Sequence, residues 1–314
     1  MSANSIFVGV DVSKDRLDVA AWPEEKRWTV KTEPEEMDRL VEELRALGPN
    51  VVVMEATGGL EMRLAVLLDA ADVPLAIVNP RPVRDFARSH GWLAKTDRID
   101  ALALARFAES HRVKPQRLPD EKERELKALV SRRRQIQRTL TEETNRLNAT
   151  PFKRVHATIK PVIAALKKQL RKVDTDIDRA IKGSESWRVK DELLQSVPGV
   201  GPVLSRTLIA EFPELGHIQR KQAAALGGVA PLSDDSGRRH GKRSCWGGRA
   251  PVRSALYMAT LAATRWNPVI KAKYERLVKL GKAKKVALVA CMRTLLLILN
   301  AMLRDQKPWR MVAA

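Results

Sequence analysis

Short apolar runs separated by polar turns open the chain and predict a sheet. Residues 6–22 predict a buried strand, a polar turn and a second strand, and residues 27–32 predict a third strand. The elements expected next are a helix over 34–47, a strand running into a glycine turn over 50–59, a helix over 60–71 and a strand over 74–79. Strands that first pair locally and then alternate with helices predict a mixed sheet covered by helices, the α/β RNase-H-like architecture.

A narrow apolar stripe marks the middle of the chain. From Asp120 to about Gly183, apolar residues recur at spacings of three, four and seven, which predicts two long helices broken around residues 148–152. The stripe fits an antiparallel hairpin or a coiled coil shared between subunits. It equally fits two helices packed on their own domain, and the spacing leaves these alternatives open.

Helices joined by glycine turns are expected in the last part. Residues 193–212 read as a helix, a turn with Pro198, Gly199 and Gly201, and a second helix, which resembles a helix-hairpin-helix whose backbone N–H groups can hold a phosphate. An ordinary Pro-Gly turn between helices is the alternative. A second glycine-rich segment precedes an apolar helix that starts at about Val252.

Charge is unevenly distributed along the 314 residues, a length that suits two or more domains. The net charge is +20, yet the first 100 residues carry 13 Lys and Arg against 18 Asp and Glu, whereas the rest carries 44 against 19. A basic field of that size fits DNA or RNA, because neutralised phosphates release their counterions. An acidic membrane surface is the competing partner, although no lipidation motif is present.

Cysteine content and apolar runs indicate a cytoplasmic protein. Cys245 and Cys291 cannot form a four-cysteine zinc site or a disulfide framework, and the N-terminus shows no secretory signal. The most membrane-like segment, 286–303, has Arg293 near its centre, which favours a buried helix over a membrane span. We therefore expect no membrane association, and association with the nucleoid when the protein is bound to DNA.

Four acids stand where they could form a metal site. Asp11 and Glu55 each follow a buried apolar strand, and Asp97 and Asp100 lie at the start of an amphipathic helix. Convergent carboxylates at one edge of a mixed sheet can hold Mg²⁺ for phosphoryl transfer, whereas without a cation they would repel one another. Each acid also has an ordinary interpretation as a turn or N-cap residue. The neighbouring Asp15 and Asp18 belong to a charged turn and strand and are left out of the predicted site.

The contexts of these acids, GVDVSK, MEATGG and KTDRIDALALA, resemble the DEDD transposases of the insertion-sequence-110 family, whose front domain is similar to a RuvC-type resolvase. The rear segment from SVPGVGP to SALYMA resembles the second conserved domain of that family. The resemblance implies three regions: a RuvC-like DEDD metal-binding domain over 1–118, a coiled-coil helical hairpin over 119–188, and a mainly α C-terminal transposase domain over 189–314.

The resemblance also implies an activity and its partners. Such enzymes are transposases, or site-specific recombinases, of an insertion sequence, guided by a structured non-coding RNA that pairs with donor and target DNA. In the family the four carboxylates bind Mg²⁺, and a serine of the rear domain attacks the DNA backbone to form a covalent phosphoserine link. The two sites come together across subunits, so a homo-oligomer, either a dimer or a tetramer, is expected.

Ser236, in DDSGRR, best fits the family's Ser-Gly position, with Ser233 and Ser244 as alternatives. A small Ser-Gly loop lets a phosphate approach closely, and nearby cations can neutralise charge in the transition state. Those cations are Arg238, Arg239, His240, Lys242, Arg243, Arg249 and Arg253. The acceptor of the serine proton stays open between His240, Asp235 and a metal-bound hydroxide or carboxylate of the front domain. A polar turn flanked by DNA-contacting cations is the ordinary alternative.

Two other functions stay open on the residues alone. One is a RuvC-like, metal-dependent junction resolvase or nuclease in which water is the nucleophile and Ser236 only lines a turn. The other is a non-catalytic architectural DNA-binding protein that uses the basic helices and has no need of Asp11 or Glu55.

Overall fold

The computed structural model of the protein describes residues 5–92, 97–237, 239–241 and 243–310. Within those ranges the side chains of Asp97, Arg98, Arg239 and His240 are not described. The chain divides into two compact units, Met1–Pro119 and Asp120–Ala314. The long helices expected over 119–188 fall in the second unit, together with the helices that follow them.

Five strands of the first unit form a mixed sheet in the order β3-β2-β1-β4-β5. The strands are β1 (Phe7–Val12), β2 (Arg16–Trp22), β3 (Lys26–Lys31), β4 (Val51–Glu55) and β5 (Leu75–Val78). β2 pairs antiparallel with β1 and β3, whereas β4 pairs parallel with β1 and β5. The predicted mixed sheet is therefore confirmed, and its order is compatible with an RNase-H-like fold.

Helices cover both faces of this sheet. α1 (Pro34–Leu47) and α2 (Glu61–Ala70) pack against the apolar side chains of one face, and α3 (Pro80–Ser89) and α4 (Asp97–Ser110) pack against the other. α4 lies so close to β1 that a Cβ atom on Gly9 would stand 2.1 Å from the carbonyl oxygen of Ala101. Only glycine allows this approach of a helix to a strand. Helix α3 is not among the elements predicted from the sequence.

Two long helices begin the second unit, α5 (Glu121–Ala149) and α6 (Lys153–Lys182). A capping box between Asp120 and Glu123 starts α5. Leu126, near the start of α5, belongs to one apolar cluster with Ile177 near the end of α6, so the two helices form an antiparallel hairpin. The same cluster reaches Ile209, so the hairpin packs on its own unit. A coiled coil shared between chains stays a prediction.

Six further helices build the core of the second unit. They are α7 (Glu185–Gln195), α8 (Pro202–Glu211), α9 (Arg220–Leu226), α10 (Ala250–Trp266), α11 (Pro268–Lys279) and α12 (Lys284–Asp305). α12 is long and apolar enough to cross a membrane, but Leu295, Leu296 and Leu299 are fully buried in the core. The prediction of a buried helix is confirmed.

Between α9 and α10 the chain forms a narrow ribbon that the sequence did not predict. Its strands are β6 (Pro231–Leu232), β7 (Asp235–Ser236), β8 (Arg239–His240) and β9 (Ser244–Cys245). β6 pairs with β9 and β7 pairs with β8, both antiparallel. We call residues 231–245 the serine arm.

Candidate active site

Asp11 and Glu55 lie side by side at one edge of the sheet. The parallel register pairs Val10 with Met54, so the next residues, Asp11 and Glu55, occupy neighbouring positions at the carboxyl ends of β1 and β4. Side chains alternate between the faces of a strand, so Asp11 shares the face of Gly9, which is the face covered by α4. Both acids are half-buried. The sheet therefore brings these two predicted site residues together.

Helix α4 carries Asp100 to the same end of the sheet. Ala101, near the start of α4, lies over Gly9 of β1. Near the other end of the helix, a Glu109 carboxylate oxygen accepts a 2.7 Å hydrogen bond from the indole N–H of Trp22, which pairs with the first residue of β1. α4 thus runs antiparallel to β1 and begins where β1 ends. We call Asp11, Glu55 and Asp100 the carboxylate edge.

An arginine lies close to one acid of the carboxylate edge. Asp100 Oδ1 lies 3.8 Å from Arg84 Nη1, and the Asp100 side chain is 16% exposed. Asp97 is the first residue of α4, but its side chain lies outside the described residues. Among the described side chains, no group of three or more His, Cys, Asp or Glu stands close enough to hold a metal.

Two further acids support this edge and were not predicted to belong to it. Asp18 is the antiparallel partner of Asp11, is 3% exposed, and accepts hydrogen bonds from Thr29 Oγ1 at 2.7 Å and Arg16 Nε at 3.1 Å. Glu61 fixes the turn after Glu55 by accepting bonds from the backbone N–H groups of residues 57 and 59. The short turn between β1 and β2 is the one sequence signal that places Asp18 opposite Asp11.

Ser236 lies in an exposed position near the tip of the serine arm. It pairs with Arg239, and Gly237, at φ +55°, begins the turn between them. The alternative Ser233 lies exposed between β6 and β7, and Ser244 pairs with Leu232 in the proximal part of the arm. Asp235, a candidate proton acceptor, precedes Ser236 and pairs with the other candidate, His240. His240 follows Arg239, the partner of Ser236.

Close glycine contacts fix the base of the arm. A Cβ atom on Gly248 would lie 2.4 Å from the backbone nitrogen of Gly228, and one on Gly228 would lie 2.7 Å from the carbonyl oxygen of Gly247. The backbone N–H of Arg249 donates a 2.7 Å hydrogen bond to the carbonyl of Leu226. These contacts hold the two ends of the arm together.

An ion pair anchors the same base. Arg249 donates two hydrogen bonds to the Glu214 carboxylate, at 2.7 and 2.6 Å, and its guanidinium lies 4.9 Å from the ring centre of Phe212. Burial by itself would raise the pKa of Glu214, but the bonds and charge of Arg249, with the charge of Lys127, bring that pKa below its usual value. Arg249, predicted to neutralise charge at Ser236, is thus engaged in holding the arm.

The other predicted cations divide into three groups. Arg253 donates a hydrogen bond to the carbonyl of Gly247, so it also supports the base of the arm. Arg243 lines a cavity of the second unit. Arg238 and Lys242 lie outside the described residues, as do the side chains of Arg239 and His240.

The turn between α7 and α8 packs tightly on another helix. Gly199 has φ +94°, and a Cβ atom there would lie 2.6 Å from the backbone of Ala263 in α10. The Asn267 side chain donates a 3.4 Å hydrogen bond to the carbonyl of Pro198. Packing accounts for the glycine at 199, and phosphate binding by a helix-hairpin-helix stays a prediction.

Comparisons with known proteins identify the family of the chain. A transposase family model named for DEDD and IS110 matches residues 8–150, and the model described as "Transposase IS116/IS110/IS902 family" matches residues 191–275. The "Pilin gene-inverting protein" of Moraxella lacunata is 27% identical, over 96% of this chain and 97% of the relative, and so is its namesake from Moraxella bovis. An uncharacterized 42 kDa protein of insertion element IS900 from Mycobacterium paratuberculosis is 32% identical over 46% of this chain and 38% of its own length. The chain therefore belongs to the IS110 family of DEDD transposases, which are DNA recombinases.

Proposed function

We propose that this transposase cuts and rejoins DNA with Ser236 as the nucleophile and with Mg²⁺ held by Asp11, Glu55, Asp97 and Asp100. The observation that carries the proposal is the meeting of Asp11 and Glu55 at the end of the sheet where α4 begins. The name of the Moraxella relatives describes inversion of a pilin gene, which supports cutting followed by rejoining.

The donor set fits Mg²⁺ by its chemistry. Mg²⁺ prefers oxygen ligands and is usually held by one or two carboxylates with water and substrate phosphates. Asp11 and Glu55 supply two half-buried carboxylates on one face of the sheet, and Asp100 supplies a third at the start of α4. When bound, the ion would polarise a phosphoryl oxygen. Asp18, already bonded to Arg16 and Thr29, keeps the strand position of Asp11 fixed.

The serine arm supports the covalent step. Ser236 Oγ forms a bond to phosphorus, the bond from phosphorus to a sugar oxygen breaks, and that oxygen leaves as a hydroxyl after gaining a proton. The proton of Ser236 passes to a neighbouring base, for which Asp235 and His240 are candidates. Rejoining reverses these bonds with a different sugar hydroxyl. Because Ser236 is exposed on a narrow ribbon, a DNA backbone can approach it.

Partners follow from the charge. The excess of Lys and Arg after residue 100 supports binding of donor and target DNA and of a structured non-coding guide RNA. Exposed apolar side chains at the start of α6, Phe152, Val155 and Val162, support assembly into a dimer or tetramer. We place the reaction in the cytoplasm, at the nucleoid.

Strand cleavage with the RNA of the complete element tests this proposal. We expect Asp11→Asn and Ser236→Ala each to lower cleavage at least ~100-fold, because each removes a group needed at the reacting phosphate. A denaturing gel should show a protein–DNA adduct with the native enzyme that is lost in Ser236→Ala. The matched variants Ser233→Ala and Ser244→Ala should keep it.

Each competing function has its own signature in this experiment. Full cleavage by Ser236→Ala, still dependent on Asp11, would establish a resolvase that uses water. Unchanged binding without any Mg²⁺-dependent cleavage, in the native protein and in Asp11→Asn, would establish an architectural DNA-binding protein. Loss of the adduct in Ser244→Ala instead would move the nucleophile to that residue.

A further inference from the structure

We propose that a cavity in the second unit binds one unpaired nucleotide of a DNA strand. The cavity measures about 1050 Å³ and is lined by residues of α9, β9, α11 and α12. Sites for small organic ligands have volumes of roughly 300–1,000 Å³, so a nucleotide with its flanking phosphates fits this space. The inference concerns binding and does not depend on the identity of the nucleophile.

The lining is strongly basic. Among the lining residues that the structure describes, none is an acid and six are cations. The cations are Arg220, Arg243, Lys273, Lys285, Arg293 and Arg304. Lys273 donates a hydrogen bond to Thr294, and Arg304 pairs with Asp305 outside the lining. The cavity thus keeps a large positive charge, which matches a phosphodiester backbone.

Apolar side chains form the rest of the wall. Val289, Leu297 and Ile298 of α12 line the cavity, and Val286, also in the lining, is 58% exposed. A free phosphate ion is polar throughout and cannot bury such a surface, whereas the flat apolar face of a base can cover it. An apolar wall beside a group of cations therefore matches the two chemical parts of a nucleotide.

The cavity is continuous with the serine arm. Ser244 and Cys245 of β9 belong to its lining, and β9 pairs with β6 at the proximal end of the ribbon whose tip carries Ser236. Arg243, which precedes β9, adds a cation from the arm itself. A duplex cannot place a stacked base in such a cavity, so the site selects a nucleotide taken out of the helix.

Fluorescence anisotropy with a labelled 12-nucleotide DNA strand, in EDTA to prevent cleavage, tests the electrostatic part. Lys285→Gln combined with Arg293→Gln should weaken binding by the full-length protein about tenfold. It should also reduce the slope of log K against log salt by about 1.4, since each phosphate contact contributes roughly 0.7 for single strands. Lys279→Gln combined with Lys282→Gln makes the same charge change outside the cavity and should weaken binding less than twofold.

A strand with abasic sites and a variant that fills the cavity test the nucleotide itself. The native protein should bind the normal strand about fivefold better than the abasic strand. Ala290→Phe, which adds bulk at the wall without changing charge, should remove that preference. Circular dichroism and thermal melting check that each variant is folded.

Several results would overturn the proposal. One is an equal loss of DNA binding in the Lys285/Arg293 double variant and in the Lys279/Lys282 control. Another is equal binding of the normal and abasic strands by the native protein. A third is a preference for the normal strand that survives in Ala290→Phe. If the Lys285/Arg293 double variant bound an RNA strand of the same sequence more weakly but bound the DNA strand normally, the assignment to DNA would be overturned. Binding is measured in EDTA without cleavage, so a failure of the serine mechanism leaves this test readable.

Discussion

The carboxylate edge and the serine arm hold their candidate groups in opposite ways. Asp11 and Glu55 lie on the two neighbouring strands β1 and β4 of a five-stranded sheet, with α4 pressed against Gly9. Ser236 lies in a two-residue strand near the tip of an exposed ribbon. The first site is held by packing on several sides, whereas the second lies on an exposed ribbon whose glycine contacts and ion pair are at its base.

This difference matches the chemistry proposed for each. A metal site requires carboxylates fixed within a fraction of an ångström, which a sheet covered by a helix provides. A nucleophile that attacks a large substrate requires access, which a surface ribbon provides. We therefore expect core substitutions to affect the whole first unit, and substitutions at the base of the arm to affect mainly catalysis.

The largest effect is expected at Gly9. Gly9→Val would place side-chain atoms within 2.1–2.7 Å of Ala101, Leu104 and Ala105, mostly backbone atoms that cannot move alone. The free energy of unfolding of the first unit should fall by about 3 kcal/mol or more, measured by chemical denaturation.

Gly58→Ala is the control for this substitution. Gly58 has φ +71° but open space around its Cβ position, so only backbone strain of about 1 kcal/mol is expected. A Gly9→Val protein as stable as the native one would show that α4 can move away from β1. The carboxylate edge would then not be rigidly held.

The next effect concerns the base of the arm. Gly248→Ala would bring a Cβ atom within 2.4 Å of Gly228, whereas Gly247→Ala meets nothing within 4 Å, and both glycines have positive φ. We expect Gly248→Ala to cost about 2 kcal/mol of stability and to lower DNA cleavage at least ~30-fold. Gly247→Ala should cost about 1 kcal/mol, with cleavage within threefold of native. Equal cleavage by both variants would show that the glycine contact does not position Ser236.

The two regions also differ in how far the sequence predicts them. The strands and long helices carry clear periodicity, and the first unit follows the predicted order. Helix α3 is short and begins with two prolines among its first three residues, which hides it in the sequence although its buried residues Val83, Phe86 and Ala87 recur at helical spacing. The serine arm was missed because two-residue strands have no period to detect.

Non-local contacts explain the remaining differences. Asp18 was set aside because a charged strand residue has an ordinary surface interpretation, yet the hairpin register buries it opposite Asp11. Arg249 was grouped with the cations near Ser236 because they are close in sequence, while its partner Glu214 is 35 residues away. Spacing along a chain does not reveal which side chain meets a distant partner.

The smallest effect is expected at the ion pair that anchors the arm. The Arg249 guanidinium holds the folded-state pKa of Glu214 below the usual pKa of a glutamate, so the pair stabilises the fold at neutral pH and loses its contribution as pH falls through the folded-state pKa. Glu214→Gln should lower the free energy of unfolding by about 1 kcal/mol or less at pH 7, because the Glu214 side chain is 42% exposed and solvent screens the pair. The difference from the native protein should shrink as the pH falls into the acid range where Glu214 gains its proton, as followed by urea denaturation from pH 3 to 7. Glu275→Gln, an exposed change on α11, should show no such trend. A difference that persists unchanged at pH 3 would mean that Arg249 is held by the hydrogen bonds and packing of the Glu214 side chain rather than by its charge. The base of the arm would then be held by packing, as the carboxylate edge is.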